Sequence, residues 1–307
     1  MPVSDAYRRQ VRLLVRVLPF VAEEACFALK GGTAINLFVR NMPRVSVDID
    51  LTYVPVADRA TSLCEIDAAM KRIAKRITDG IPGAQVSSST IENGKCVNKL
   101  LVRADKAQIK VEVTPVLRGC VYEPKMTRVS ARVEEEFGYA EIQVVSFPDL
   151  YAGKMVAALD RQHPRDLFDI RDLLASEGIG EDLRRAFLVY LLSHNRPMAE
   201  VLAPTRLEIA EEFARGFEGM TETPVTVGEL VQARETLISA ITGQMPTEHR
   251  RFLISVKRGA PDWSLAGVPG ADALPAVRWR LENLAKMDTG KRAELLADLS
   301  RVLGMQE

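Results

Sequence analysis

Several common signatures are missing from this chain. Histidine is scarce and scattered, three in 307 residues, which argues against a zinc site. The four cysteines (Cys26, Cys64, Cys96, Cys120) are far apart and form no Cys-x-x-Cys pair. They read as buried free thiols. No apolar run approaches the roughly eighteen residues of a membrane span. The first ten residues, Met1 to Gln10, lack the shape of a signal peptide, so a cytoplasmic protein with no membrane partner is expected. Net charge is also absent, with 41 Lys+Arg against 41 Asp+Glu. Residues 1–150 hold 21 basic and 18 acidic side chains, leaving 20 and 23 for the remainder. Neither half is a general attractor for nucleic acid, and an RNA would have to be held by a local patch. There is no internal repeat and no low-complexity tract.

What is present is an ordinary globular balance, 47% hydrophobic and 27% charged, with length enough for two cores. The most informative stretch begins at Phe27-Ala-Leu-Lys-Gly-Gly-Thr33 and continues with Ala34, Ile35, Leu37 and Phe38. It reads as a strand, a tight glycine turn and a helix. Glycine lets the backbone approach a ligand, and a helix start presents free N–H groups and a positive dipole end. A phosphate is the expected guest, with Thr33 capping the helix or donating its hydroxyl to the same anion. About fifteen residues on, Val45-Ser-Val-Asp-Ile-Asp-Leu51 alternates at period two. Asp48 and Asp50 therefore share one face of a strand. Parallel carboxylates repel unless a cation joins them, and hard oxygen ligands suit Mg²⁺. A phosphate turn followed by an Asp-x-Asp metal strand is what nucleotidyl transfer needs, with two ions about 3.5–4 Å apart.

Gly31-Gly32-Thr33 followed by Asp48-Ile-Asp50 resembles the nucleotidyltransferase signature of the DNA-polymerase-β-like superfamily. The form Leu29-Lys-Gly-Gly-Thr-Ala34 is similar to the AbiEii/AbiGii branch, the toxins of type IV toxin–antitoxin systems and their mycobacterial relatives. Two later motifs extend the resemblance to about residues 27–172. These are Lys154-x6-Arg161 and Arg165-Asp166-x-x-Asp169.

Taken in order, residues 4–25 form an amphipathic helix whose Arg8, Arg9, Arg12 and Arg16 read as a solvated face, with RNA contact as the lesser alternative. A long helix spans Asp58 to Thr78, and its basic Lys71–Arg76 cluster suits the helix dipole. A hairpin joins Gln85–Ile91 to Cys96–Arg103 through Asn93-Gly94. Gln108–Thr114 alternates, with Ile109, Val111 and Val113 facing the core and Lys110, Glu112 and Thr114 facing away. Glu112 is the candidate third carboxylate of the metal site, and a plain ion pair with a cross-strand lysine is the alternative. Loops and short strands are expected over Arg118–Arg132, and a last strand over Tyr139–Phe147.

A helix over Leu150–Arg161, a turn, and a helix over Asp166–Leu174 follow. Lys154 and Arg161 lie seven apart on one face, suited to a leaving pyrophosphate. The resemblance implies that Lys154 is required for activity and that one acid, Asp166 or Asp169, is essential, with Asp169 preferred. An ion-paired helix surface is the plain alternative for both acids. Beyond residue 175, helices are expected over Asp182–Ser193, Arg206–Phe217, Val227–Thr242, Glu248–Arg258, Ala276–Lys286 and Gly290–Leu303. Thr226-Val-Gly-Glu229 has capping-box form. Arg250, Arg251, Lys257 and Arg258 are the candidate nucleic-acid contact, with a solvated face as the alternative. Trp263 and Trp279 read as core or interface.

The expected fold is α/β: a polymerase-β-like mixed sheet with helices over 1–146, then a mostly helical domain over 147–307, with the site in the cleft between them. The resemblance implies transfer of a nucleoside monophosphate from an NTP to an acceptor, in close relatives the 3′ end of tRNA, which blocks charging. It also implies Mg²⁺, with Mn²⁺ as a substitute, and a cognate antitoxin that need not form a stable complex. Lys30, Gly31, Gly32, Thr33, Lys154, Arg161 and Arg165 are the candidate nucleotide contacts. Asp48, Asp50 and Glu112 are the candidate metal ligands. A small-molecule nucleotidyltransferase, or a protein-modifying or binding module, is the alternative.

Overall fold

The computed structural model describes residues 4–91, 94 and 96–305. Asn93 of the expected hairpin turn lies outside the described residues. The chain divides into one unit of residues 1–150 with 218–224 and a second of residues 151–217 with 225–307.

The first unit runs α1 (Asp5–Ala22), β1 (Phe27–Lys30), α2 (Gly31–Thr33) continuing as a π-helical turn over Ala34–Val39, β2 (Asp48–Tyr53), α3 (Arg59–Gly80), β3 (Gln85–Ile91), β4 (Cys96–Ala104), β5 (Ala107–Arg118), β6 (Lys125–Arg128), α4 (Ala131–Phe137) and β7 (Glu141–Val144). Its seven strands form one sheet in the order β3-β4-β5-β2-β1-β7-β6. β2 pairs with β5, and β1 with β7, in parallel, and the other pairs are antiparallel. This is the mixed sheet with helices that the polymerase-β-like resemblance implies.

Period-two alternation decides which face is buried. Ile49 and Leu51 of β2 and Ile109, Val111 and Val113 of β5 are all buried. α1 packs on β5 and β7 through an apolar stripe that includes Val11, Leu14, Leu18 and Val21, and α3 packs on β4. Burying each such side chain contributes about 1.5–3 kcal/mol. The intervening side chains of β2 and β5 are left facing away from this core.

α5 (Phe147–Asp160) begins in the first unit. The second unit is helical: α6 (Pro164–Ser176), α7 (Glu181–Ser193), α8 (Met198–Leu202), α9 (Ala210–Gly216), α10 (Val227–Thr242), α11 (Thr247–Arg258), α12 (Pro275–Ala285) and α13 (Thr289–Leu303). The capping box at Thr226 forms as expected, with both reciprocal hydrogen bonds present.

Three expectations need correction. Tyr139–Phe147 is strand only over β7, because Phe147 already starts α5. The helix expected over Arg206–Phe217 shrinks to α9: the Gln162 carbonyl oxygen accepts from Leu207 N–H, and the Glu208 carboxylate accepts from Ile209 and Ala210 N–H. Side chains there take the backbone donors that a helix start would use. Of the cysteines only Cys96 is buried, and Cys64 is exposed.

Candidate active site

Strand register builds the site in the first unit. Lys30 on β1 stands opposite Asp50 on β2, Asp50 opposite Glu112 on β5, and Glu112 opposite Lys99 on β4. Four neighbouring strands thus carry a row of charges: Lys30, Asp50, Glu112, Lys99. In the next row Asp48 stands opposite Lys110. Strands spaced about 4.8 Å apart put two carboxylates side by side at the centre of the row.

The lysines compensate that repulsion. Lys99 Nζ lies 3.3 Å from Glu112 Oε1. Lys110 Nζ lies 3.1 Å from Glu112 Oε2 and 3.8 Å from Asp48 Oδ2. Burial pushes the Glu112 carboxyl up, but Lys110 and Lys99 outweigh it and hold it below its ordinary value. Burial pulls Lys110 down, but Asp48, Glu112 and Asp50 hold it above. Lys30, half-buried, is lowered by burial despite Asp50. The Glu112–lysine ion pair anticipated as the plain alternative is therefore present, and it involves two lysines.

The glycine turn borders this row. Gly31 has φ +75°, and a Cβ built on it would lie 2.7 Å from Asp50 Oδ2. A Cβ on Gly32 would lie 2.9 Å from Arg44 Nη2 and 3.0 Å from Ser46 Oγ. Both glycines are therefore needed for close packing, Gly31 also for its left-handed backbone. Thr33 does not cap the helix, whose N-cap residue is Lys30, with no side-chain cap bond. It is fully buried, and its hydroxyl donates to the Asp48 carbonyl and accepts from the Ser46 hydroxyl at 3.0 Å. Thr33 fastens the start of β2 to the turn.

Among the described residues, no group of three His, Cys, Asp or Glu side chains is gathered closely enough to hold a metal ion as it stands. The donor chemistry nonetheless fits a hard divalent cation: Asp48, Asp50 and Glu112 carry oxygen donors on one sheet face. Lys110, reaching both Asp48 and Glu112, is a stand-in cation between them.

The family described as nucleotidyl transferase AbiEii toxin, type IV TA system, matches residues 12–283. The chain belongs to the AbiEii family. It is a nucleotidyltransferase toxin of the type IV toxin–antitoxin class, which implies a nucleotide substrate and an antitoxin partner. Among solved structures the chain is similar to MenT4, a nucleotidyltransferase toxin from Mycobacterium tuberculosis H37Rv. Identity is 14% and the TM-score 0.62, over 97% of this chain and 94% of that one. At that identity the likeness establishes the fold. No curated protein matches.

The two later motifs expected from sequence, Lys154-x6-Arg161 and Arg165-Asp166-x-x-Asp169, fall in the second unit, where two aspartates converge on a lysine. Lys154 Nζ on α5 lies 2.7 Å from Asp166 Oδ1 and 3.0 Å from Asp169 Oδ2, both on α6. Exposures are 7% for Lys154 and 1% for each aspartate. Arg161 Nε donates to Asp166 Oδ2 at 2.6 Å and Nη2 to Oδ1 at 3.1 Å. Burial would raise the Asp166 carboxyl, but Lys154 and Arg161 hold it well below the carboxylate range. Asp166 and Asp169 thus both hold Lys154, and the buried cluster replaces the surface ion-pair reading. Arg165 is half-buried, and its N–H is accepted by His163 Nδ1 at the N-cap of α6. That cap was not read from sequence.

Elsewhere basic clusters have structural partners. Arg72 and Arg76 clasp the buried Glu24, and the last turn of α3 carries no base, so the dipole reading fails there. Arg8 pairs with Glu136 and Arg16 with Asp105. In α11, Arg250 donates to the Met245, Thr242 and Leu303 carbonyls. Lys257 is buried, which leaves Arg251 and Arg258 as the exposed cations of that set. Trp263 packs on Phe252 at 5.2 Å, whereas Trp279 is 60% exposed.

Proposed function

We propose that this toxin transfers a nucleoside monophosphate from an NTP to the 3′ end of tRNA, releasing pyrophosphate and blocking aminoacylation in the cytoplasm. The observation that carries the reading is the Asp48, Asp50 and Glu112 set on one sheet face beside Gly31. Mg²⁺, held by these three carboxylates, would supply charge neutralisation on the triphosphate and a more acidic attacking hydroxyl. Glu112 is positioned to take the proton from that hydroxyl once its lysine partners turn aside. Lys30 and the Gly31–Gly32 backbone seat the phosphates in this reading. Lys154, Asp166, Asp169, Arg161 and Arg165 serve the same reaction by their place in the family motifs. Asp166 and Asp169 orient the Lys154 ammonium, and Arg161, the more exposed cation, takes phosphate.

The test is acceptor identity. The chain is incubated with labelled NTPs, Mg²⁺ and, separately, total RNA, total protein or an aminoglycoside set. Label confined to the 3′ end of tRNA supports the proposal. Label on protein or on small molecules, with tRNA unlabelled, overturns it.

A further inference from the structure

Lys110 lies outside the motifs read from sequence, yet its ammonium lies between two carboxylates of the acidic cluster. It reaches Glu112 Oε2 at 3.1 Å and Asp48 Oδ2 at 3.8 Å. Asp48 is its register partner across β2. Of the other cations in the row, Lys30 stands opposite Asp50, and Lys99 pairs with Glu112 on the opposite oxygen. The two lysines therefore play different parts: Lys99 pairs with one carboxylate, whereas Lys110 joins two on different strands.

We propose that Lys110 is the resident counter-cation of the acidic cluster, exchanged for the divalent ion when nucleotide is engaged, and so sets the metal affinity of the site. This rests on the metal-site reading of Asp48, Asp50 and Glu112 given above.

Ammonium and metal compete for the same carboxylate oxygens. A Mg²⁺ ligand oxygen lies about 2.0–2.1 Å from its ion. An ion held by these carboxylates would take oxygens that Nζ now contacts and so would sit close to it. Like charges this close repel strongly even at a surface-like dielectric, and a divalent ion doubles the repulsion. Ammonium and metal therefore exclude one another. Lys110 is one-third exposed, at 33%, so its head can swing to solvent without repacking of the core. While it is in place it holds Asp48 and Glu112 at bridging distance and offsets their repulsion, which keeps the carboxylates arrayed for the ion that replaces it. Once displaced, the lysine remains close enough to pair with a substrate phosphate.

Metal affinity tests this without reference to turnover. Mn²⁺ binding to the full chain is measured by calorimetry and by the loss of free-ion paramagnetic signal. The parent is compared with Lys110→Met, Lys110→Gln, Lys99→Met and Asp50→Asn, and thermal melting verifies that each is folded. Removal of Lys110 is expected to tighten Mn²⁺ binding about tenfold, equivalent to about 1.4 kcal/mol, in both replacements. Lys99→Met is expected to change it by less than about threefold, since Lys99 does not bridge. If Lys110→Met and Lys110→Gln bind as the parent does or more weakly, the proposal is overturned. The same holds if Lys99→Met tightens binding as much as Lys110→Met, because the effect is then generic charge. Asp50→Asn separates this failure from a deeper one. If it abolishes binding, the metal site stands whatever Lys110 does. If it binds Mn²⁺ like the parent, the metal-site reading falls and the Lys110 proposal with it.

Discussion

At the scale of single residues, Gly31 carries two constraints at once. Its φ of +75° is strained for any L side chain, and a Cβ would press on Asp50 Oδ2 at 2.7 Å. Gly31→Ala is expected to cost about 1–3 kcal/mol in stability. It should also lower transfer by at least about tenfold, because Asp50 must move from its place in the row. Thermal melting and a single-turnover transfer assay measure the two effects. An alanine variant with parental stability and rate would remove the turn from the account.

Lys257 is a residue-scale case of the opposite kind, a buried cation with Arg280 beside it. Burial first, then Arg280, pulls its pKa down to about 8. The unfolded chain keeps an ordinary lysine, near 10.4. Between those values the unfolded state binds the additional proton, so this residue makes stability rise with pH from about 8 to about 10. Lys257→Met should flatten that rise and stabilise the protein at pH 7 by roughly 1–3 kcal/mol. Denaturant melts at pH 7, 8, 9 and 10 test it. A slope unchanged by the substitution would contradict the assignment.

At the scale of elements, α5 and α6 are clasped by Lys154, Asp166 and Asp169. From sequence, Lys154→Ala is expected to abolish transfer while the protein stays folded. Burial changes that expectation. Removing the lysine leaves two aspartates, each 1% exposed, without their shared cation, and breaking such a buried pair costs about 3–5 kcal/mol. Lys154→Ala should therefore melt markedly earlier. The triple variant Lys154→Met, Asp166→Asn, Asp169→Asn should recover most of the stability without recovering transfer. A triple variant that regained activity would make the cluster purely structural.

Elements are also the scale at which the sequence was most readable. Alternation in Gln108–Thr114 placed Glu112 on the face away from the core, and Asp48 and Asp50 followed from the same period. What alternation could not supply was register. The Lys30, Asp50, Glu112, Lys99 row depends on which residues of β1 and β5 stand opposite β2 and which residue of β4 stands opposite β5, and that is a tertiary property. Lys110 was legible as a same-face neighbour of Glu112, but not as a bridge to Asp48. Thr33 departs from its expected role for a related reason. A hydroxyl beside a glycine turn suits an anion, yet packing turned it inward to the Asp48 carbonyl. Lys257 and Arg250 looked like members of a basic helix face because side-chain burial within a helical unit leaves little trace in a charge pattern.

At the scale of the whole molecule, zero net charge separates this toxin from general nucleic-acid binders. Affinity for tRNA in the proposed reaction must come from few phosphate contacts, so it should fall only shallowly with salt. A slope of log K against log[salt] of about −2 to −4 is expected, against about −10 for a strongly basic binder. Filter binding over roughly 50 to 300 mM salt measures it. A slope beyond about −6 would mean that a basic surface larger than Arg251 and Arg258 is engaged.

The central claim is that the carboxylates of β2 and β5 drive nucleotidyl transfer, and its most direct test is transfer by the full chain carrying Asp48→Asn or Asp50→Asn. Both replacements keep side-chain shape on a half-exposed face, so melting temperatures should stay near that of the parent. Labelled NMP incorporation should fall by at least about a hundredfold in each. A folded Asp48→Asn or Asp50→Asn protein that transfers nucleotide at the parental rate would contradict the account.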